Sequence, residues 1–236
     1  MARLSGTGLI ADDLYLMAHD DVTGRPFLQS RAVGLGLAGG LLAELMLLDK
    51  LRLSHGWVVT GDPGQPRDEL GYCVLGLIVS ERELHPVRDW LAFLARTAAA
   101  DVAVRLERAG YLRQARLGRP RRGGRWVPAD PDCAFAPLGR ARSALEAAGA
   151  ATAYATILAG LAVGSGLGPR LLPYGPPDSR RRLDMALEQL PPGLRELIAQ
   201  TQAAVDSALL AHRVRASVPN DLASSQEKPM SRTQLT

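Results

Sequence analysis

Arginine is the residue type in this chain whose spacing points most clearly to chemistry. Of the 28 basic residues only Lys50 and Lys228 are lysines. Within the acid-free stretch 113–125, immediately before Trp126, lie Arg113, Arg116, Arg119, Arg121, Arg122 and Arg125. Guanidinium groups bind phosphate bidentately, and so dense a cluster favours anions over other partners. The pattern predicts a local anionic partner, either a nucleic acid or a membrane surface.

Residues for catalysis or metal binding are less well arranged. No H-E-x-x-H or G-x-S-x-G motif is present, and the two cysteines fit no zinc or haem spacing. The pairs Asp12–Asp13 and Asp20–Asp21 are expected to be solvated carboxylates at a helix end and in a turn. The histidines are scattered: His19, His55, His85 and His212. We therefore expect a protein that is not an enzyme and that holds neither a metal nor a cofactor.

Three glycines match a nucleotide-binding pattern by letter. Gly34, Gly36 and Gly39 spell G-x-G-x-x-G, in which glycines let backbone amides approach a pyrophosphate at the start of a helix. That motif must follow a strand in a βαβ unit, and the residues before it here are few and polar. The alternative interpretation, favoured here, is that small residues allow close packing between helices.

The elements that would position the arginines follow from periodicity. A first helix is predicted over 9–17, ending at the turn residues DDVTGRP. A second, over 32–48, has Glu44 as its only charge and is apolar around its circumference, as a central buried helix should be. It is shorter than the about 20 apolar residues of a membrane span. Alternation of apolar and polar residues over 51–64 predicts a hairpin around a Ser-His-Gly turn.

Later segments continue the helical pattern. A second hairpin is predicted over 111–130, with the arginine cluster on its exposed tip. The charge-free run from Ala147 to Pro169 is expected in the core, and the polar sequence from Ser217 is expected to be disordered. The remaining predicted helices cover 69–82, 87–97, 100–109, 138–148, 151–165, 179–190 and 192–212.

Composition limits the class of protein. With 236 residues and 47% hydrophobic content, the chain can bury the core of one large domain. Two cysteines indicate a reducing compartment, and Asp12 and Asp13 interrupt what would otherwise be the apolar segment of a signal peptide. The expected location is the cytoplasm. The net charge of +4 is mild, so the placement of charge is more informative than its sum.

Two further functions remain open at this stage. A helix, the segment LERAGYL and a basic hairpin over 111–130 are also the order of a winged-helix DNA-binding module, with the hairpin as its wing. Against it, Ala98–Leu106 offers few polar side chains for base contacts. The other possibility is an adaptor whose arginines contact the acidic tails of partner proteins.

The order of several segments resembles that of a known family. These are LIADDLYLMAHDDVTGRPF, GLAGGLLAELMLLDKLRL, the VRLERAGYL segment with its hairpin, and the late helices. Over roughly residues 5–212 the chain resembles the Golgi phosphoprotein 3 family, in its bacterial branch. The resemblance is most specific over Gly39 to Leu53. It implies a mainly α-helical single domain, with a hydrophobic central helix ringed by amphipathic helices and small β-hairpins.

The resemblance also implies a function. Characterised eukaryotic members are non-catalytic peripheral membrane proteins that bind phosphatidylinositol 4-phosphate and act as adaptors for the tails of membrane enzymes. Their lipid site uses a Trp and an Arg near the central helix and two Args in a later helix. Those positions correspond here to Gln29, Ala38, Arg96 and Ala99, so only Arg96 is matched.

We therefore expect a rebuilt lipid site. Arg25 and Arg31 flank the turn before the central helix and, with Arg96, are the predicted headgroup ligands. The predicted membrane-contact hairpin carries Arg116, Arg119, Arg121, Arg122, Arg125 and Trp126. The expected partners are an anionic phospholipid membrane, including phosphoinositide, and the cytoplasmic tails of membrane proteins; nucleic acid is a partner only under the DNA-binding alternative. The predicted organisation is an extension over 1–8, a domain over 9–214 and a disordered tail over 215–236, with the oligomeric state left open.

Overall fold

The computed structural model describes residues 7–62, 64, 66, 68–115, 125–146, 151–172 and 178–217. Over these ranges the chain forms a mainly helical domain with two small antiparallel hairpins, as predicted. The helices are α1 (Ile10–Ala18), α2 (Ser30–Leu47), α3 (Glu69–Ser80), α4 (Val87–Leu94), α5 (Ala98–Arg108), α6 (Pro131–Glu146), α7 (Ala153–Ala162), α8 (Gly168–Leu171), α9 (Ser179–Glu188) and α10 (Pro192–Ser217). The strands are β1 (Leu51–Ser54), β2 (Trp57–Thr60), β3 (Leu112–Gln114) and β4 (Trp126–Pro128).

Helix α2 is the centre of the domain. Every residue from Ala32 to Leu45 is buried, and the helix contacts α1, α3, α4, α5, α7, α10 and β1. By length and composition α2 could cross a membrane, but most of it is buried inside the protein. Its sequence is apolar all round because it has no face toward water, which confirms the prediction of a central helix.

Small residues on α2 allow its neighbours to approach closely. At Gly36 a Cβ atom would overlap the Ser165 hydroxyl, and at Gly40 it would lie 3.0 Å from the Cα atom of Ala11. At Gly39 it would lie 2.7 Å from the Oγ1 atom of Thr201. The glycines that match the nucleotide-binding letters therefore face other helices, in agreement with the packing interpretation.

The first hairpin owes its register to a two-residue turn. His55 has a φ of 52° and Gly56 a φ of 80°, so both central residues adopt the left-handed conformation that matches the twist of paired strands. Ser54 then pairs with Trp57 and Leu51 with Thr60. In the second hairpin, Leu112 pairs with Pro128, and its tip lies outside the described residues.

The charge-free run near the end of the domain packs in the core. All described α7 residues from Ala155 to Ala162 are buried, and the π-helical turn Val163–Leu167 continues the chain through Gly166, whose φ is 99°. Helices α6, α9 and α10 contact α7 from outside. The prediction of a core segment is confirmed for the described part of this run.

Two helix boundaries differ from the prediction by five residues or more. Helix α6 begins at Pro131, whereas the sequence predicted a start at 138. Proline suits the first position of a helix, and Pro137 within the helix removes only one backbone hydrogen-bond donor. Helix α10 continues to Ser217, five residues beyond its predicted end. The predicted disordered tail after Ser217 lies outside the described residues.

Candidate functional site

The N-terminal end of α2 presents an exposed cation beside α4. Arg31 lies in the first turn of α2, is exposed, and has its Nη1 atom 3.5 Å from the carbonyl oxygen of Ala92. The two helices approach closely because position 34 is glycine: a Cβ atom there would overlap the carbonyl oxygen of Ala95. The side chain of Gln29, the N-cap residue of α2, makes no capping hydrogen bond, so the backbone amides of the first turn add to the positive character of this end.

Arg96 lies at the same end of α4. It follows the last residue of the helix, is exposed, and holds its guanidinium carbon 5.5 Å from the centre of the Phe93 ring. Within the part of the chain that the structure describes, neither Arg31 nor Arg96 forms an ion pair with a carboxylate. The two predicted ligands are therefore brought to one end of one helix, with their charges available to an anion.

Arg25 lies in a different environment. The turn that carries it is closed by Asp20, whose Oδ1 atom accepts bonds of 2.6 Å from both the backbone and the hydroxyl of Thr23. These hydrogen bonds hold the pKa of Asp20 below its usual value. A Cβ at Gly24 would overlap the carbonyl oxygen of Trp126, so the turn packs on the start of β4. The structure thus places Arg25 beside the second hairpin, and no described contact joins it to Arg31 or Arg96.

The second hairpin is described only at its base. Val127 is buried, while Arg125 and Trp126 are half-buried, with Trp126 packed against the hydrophobic core. Arg116, Arg119, Arg121 and Arg122 lie outside the described residues. Only the exposed part of the Trp126 ring could reach a membrane, and its role as an anchor stays a prediction.

The family positions that hold alanine here differ in burial. Ala38 is completely buried in α2, and Ala99 is partly buried in α5. Gln29, at the family's Trp position, is exposed and its Nε2 atom lies 3.2 Å from Nδ1 of His212. Of the four corresponding positions, Arg96 therefore supplies the cation.

A buried charge network that the sequence did not predict joins the N-terminal helix to the core. The expectation that Asp12 and Asp13 are solvated is wrong, since both are completely buried. Asp12 Oδ1 accepts a 2.7 Å bond from Nε of Arg105, whose Nη1 atom donates to Glu44 at 3.0 Å and to Asp68 at 3.2 Å. One guanidinium therefore serves three carboxylates from three different parts of the chain.

The second aspartate has its own partners. Nη2 of Arg140 donates to Oδ2 of Asp13 at 2.6 Å, and the Tyr154 hydroxyl donates to the same oxygen at 2.8 Å. The Tyr154 hydroxyl also lies 3.1 Å from the carbonyl oxygen of Leu9. Burial raises the pKa of Tyr154, so it stays a protonated donor. The two aspartates thus fix α1 to α5 on one side and to α6 and α7 on the other.

Burial controls the protonation of this network. It raises the pKa of Asp12 and of Asp13, although their arginine partners oppose the effect. It also raises the pKa of Glu44 to about 7, against the attraction of Arg105. Burial alone would lower the pKa of Arg105, but Glu44 and Asp12 raise it, so the guanidinium stays charged. Because one cation faces three carboxylates, a proton on Glu44 near neutral pH reduces the excess negative charge.

The network is better suited to holding helices together than to catalysis. Each guanidinium is already bound to a carboxylate, and Arg105 has a side chain only 9% exposed. In the described part of the chain no group of three or more His, Cys, Asp or Glu residues could hold a metal ion. The exposed arginines at the end of α4 are therefore the better candidate for contact with a ligand.

Together, fold and site define a class of protein: a single helical domain with a buried central helix and an exposed pair of cations where that helix meets α4. The chain belongs to the Golgi phosphoprotein 3 (GPP34) family, whose model matches residues 10–215. A comparison with curated proteins gives no match. Membership confirms the resemblance at the level of the family and suggests a phosphoinositide-binding protein of membrane surfaces.

Proposed function

We propose that this protein is a non-catalytic, peripheral membrane protein that binds anionic phospholipid headgroups from the cytoplasm, with phosphatidylinositol 4-phosphate as the ligand suggested by its family. The observation that carries the proposal is the position of Arg31 and Arg96, both exposed at the junction of α2 and α4. Membership of the bacterial branch of the family is part of the same proposal and rests on the resemblance of the sequence alone.

Two features of the junction favour a phosphate. Guanidinium groups form paired hydrogen bonds with phosphate oxygens, and Arg31 and Arg96 lack described carboxylate partners that would compete. The uncapped amides in the first turn of α2 add donors and a favourable dipole at the same place. A phosphate monoester on an inositol ring would use more of these donors than a phosphodiester, which supports a preference for phosphoinositide.

The arginine-rich hairpin is proposed as a second, less selective contact. Each arginine near an anionic membrane contributes about 1 kcal/mol, so the cluster would add attachment that weakens with salt. Arg25 and Arg125 lie on the same side as this hairpin, since the turn at Gly24 packs on the start of β4. The proposed division is therefore headgroup selection at Arg31 and Arg96, and general attraction at the hairpin with Arg25.

A role as adaptor for the tails of membrane proteins follows from the family alone. The DNA-binding alternative receives less support. It needs α5 to present polar side chains to base edges, whereas Arg105 of that helix points into the buried network and Val102 and Leu106 are buried. The outward-facing Glu107 would oppose DNA phosphates.

The test is co-sedimentation of the full chain with vesicles of three kinds at physiological salt: neutral, anionic without phosphoinositide, and anionic with phosphatidylinositol 4-phosphate at the same total charge. Arg31→Gln and Arg96→Gln should each weaken binding to the phosphoinositide vesicles by about fivefold to tenfold, as expected for one charge-assisted contact. Arg52→Gln, which removes an exposed arginine from β1, is the matched control and should bind as the wild type does.

Two results would contradict the proposal. Equal binding to both anionic vesicles, unaffected by either substitution at the α2–α4 junction, would leave only general attraction through the hairpin. Displacement of the protein from every vesicle by duplex DNA, with tighter binding to the DNA, would favour the winged-helix alternative.

A further inference from the structure

A cavity beside the proposed headgroup site is lined by carboxylates and aromatic rings, whereas the headgroup site itself is cationic. Its volume is about 300 Å³, and it lies between the end of α3 and the first turns of α4. It is lined by aromatic rings and by the carboxylates of Glu81 and Asp89. None of these groups takes part in the buried network, and only Phe93 also contacts a residue of the proposed phosphate site, Arg96.

The walls of the cavity are aromatic. Trp90 lies with its ring centre 6.0 Å from that of Phe93 at an angle of 89°, and 6.1 Å from that of His85 at 82°. Edge-to-face packing fixes these rings in different orientations around one space. The faces of tryptophan and phenylalanine rings carry partial negative charge and attract organic cations, ammonium groups above all.

The carboxylates at the rim add formal negative charge. Glu81 Oε1 accepts a 3.0 Å bond from the backbone of Arg82 and lies 3.9 Å from Nε2 of His85. Asp89 Oδ1 lies 3.6 Å from Nε of Arg88. Both carboxylate side chains are about half exposed, and neither is held in a short bidentate pair, so each has capacity to accept a bond from a cation in the cavity.

One ring connects this cavity to the arginine pair. Phe93 lines the cavity, and the guanidinium carbon of Arg96 lies 5.5 Å from the centre of its ring. A cation-attracting pocket and an anion-attracting arginine thus share one aromatic side chain. Phosphoethanolamine and phosphocholine carry both of the charges that such a pair attracts, with one ester oxygen and two carbons between their phosphorus and their nitrogen.

We propose that the cavity binds the ammonium group of a zwitterionic phospholipid headgroup, phosphoethanolamine or phosphocholine, whose phosphate lies at Arg96. This inference extends the proposed function and rests on it for the membrane setting. A mixed membrane would then be recognised through two headgroup types at once, an anionic lipid at the α2–α4 junction and a zwitterionic lipid at the α3–α4 cavity. Arg96 would be shared between them, since a guanidinium has five N–H donors.

The first test uses vesicles of constant anionic content in which the uncharged remainder is either digalactosyl diacylglycerol, a bilayer-forming lipid without phosphate or ammonium, or phosphatidylethanolamine. The wild type should bind the second kind about tenfold more tightly, the size expected of one cation–π contact with two exposed ion pairs. The double variant Glu81→Gln/Asp89→Asn should lose this preference but keep its binding to the first kind. Glu83→Gln removes one carboxylate charge close to Glu81 but outside the cavity lining, and should keep the preference.

The second test separates this inference from the proposed function. Phosphoethanolamine, ethanolamine and inorganic phosphate are each titrated into the full chain while the indole N–H signal of Trp90 is followed by NMR. Phosphoethanolamine should shift it at the lowest concentration and phosphate alone should leave it unmoved. The inference is overturned if the wild type shows no preference for phosphatidylethanolamine vesicles. It is also overturned if only a lysine-rich peptide shifts the Trp90 signal. Either result would count even if Arg31 and Arg96 bind anionic lipid as proposed. If Arg31→Gln leaves binding to phosphoinositide vesicles unchanged while the Trp90 response to phosphoethanolamine stays intact, the proposed function alone is overturned.

Discussion

Replacing Arg105 by methionine is expected to remove most of the electrostatic support of the buried carboxylates while keeping a side chain of similar length. The Arg105 side chain is 9% exposed, and its partners Asp12 and Glu44 are 1% and 8% exposed. Without the guanidinium, these carboxylates must either stay charged in a dry environment or take up protons. Both responses lower the free energy of unfolding at neutral pH.

The expected magnitude follows from burial. Removing one member of a buried ion pair lowers stability by about 3–5 kcal/mol, because the remaining charge is left without compensation. Arg108 provides the matched control, since it lies one turn further along α5 and pairs with Glu69, with both side chains largely exposed. Arg108→Met should change stability by at most about 1 kcal/mol. The difference between the two variants therefore measures the effect of burial.

The assay is urea unfolding followed by circular dichroism, at neutral pH and at about pH 5. The deficit of Arg105→Met should shrink at the lower pH, because the uncompensated carboxylates then take up protons at less cost. If that variant is too unstable to purify, Arg105→Lys keeps the charge but loses the forked geometry, and should fall between wild type and Arg105→Met. The reasoning is refuted if Arg105→Met unfolds within about 1 kcal/mol of the wild type at neutral pH.

Three further predictions concern the core. Gly34→Ala should lower stability by about 2 kcal/mol or more in thermal or urea unfolding, because its methyl group would overlap the backbone of Ala95, whereas Gly76→Ala, with nothing nearby, should stabilise α3 by up to about 1 kcal/mol. Tyr154→Phe should cost about 1–2 kcal/mol in the same assay by removing a donor to a buried carboxylate; no loss would mean that water replaces the hydroxyl. Burial raises the pKa of Glu44 from 4.5 to about 7, so the folded protein retains a proton that the unfolded chain has released. The stability that this group contributes is present at low pH and is lost as the pH rises from 4.5 to about 7. Glu44→Gln should therefore reduce the dependence of the free energy of unfolding on pH over this interval. If that dependence is unchanged, other groups cause it.

Sequence periodicity was sufficient for most of the fold. The apolar circumference of α2 identified it as the central helix, because only a helix surrounded by protein can lack a polar face. The His55–Gly56 turn and the alternation around it identified the first hairpin. The start of α6 was missed: the predicted helix began at 138, directly after Pro137, whereas the observed helix includes this proline.

Long-range pairing was the part that local patterns could not supply. Arg105 is 93 residues from Asp12 along the chain, and Arg140 is 127 residues from Asp13. The sequence nonetheless held one indication of this pairing. Asp12 and Asp13 are consecutive in an otherwise apolar helix, so they cannot both face water once that helix is buried. The same limit applied to the proposed lipid site: the sequence grouped Arg25 with Arg31 by proximity along the chain, and the contact of the neighbouring Gly24 with Trp126 could not be read from it.

The packing of α2 bears on how the domain loses its structure. Because α1, α4, α5, α7 and α10 each cover a different part of its surface, removing any one of them exposes a strip of apolar side chains to water. Helix α10, which closes the Gly39 face through Thr201, comes last in the described chain. The domain is therefore expected to unfold in a single cooperative transition, and a chain that emerges from the ribosome without α10 is expected to lack a stable folded state. Folding of the whole domain should wait until α10 has been synthesised.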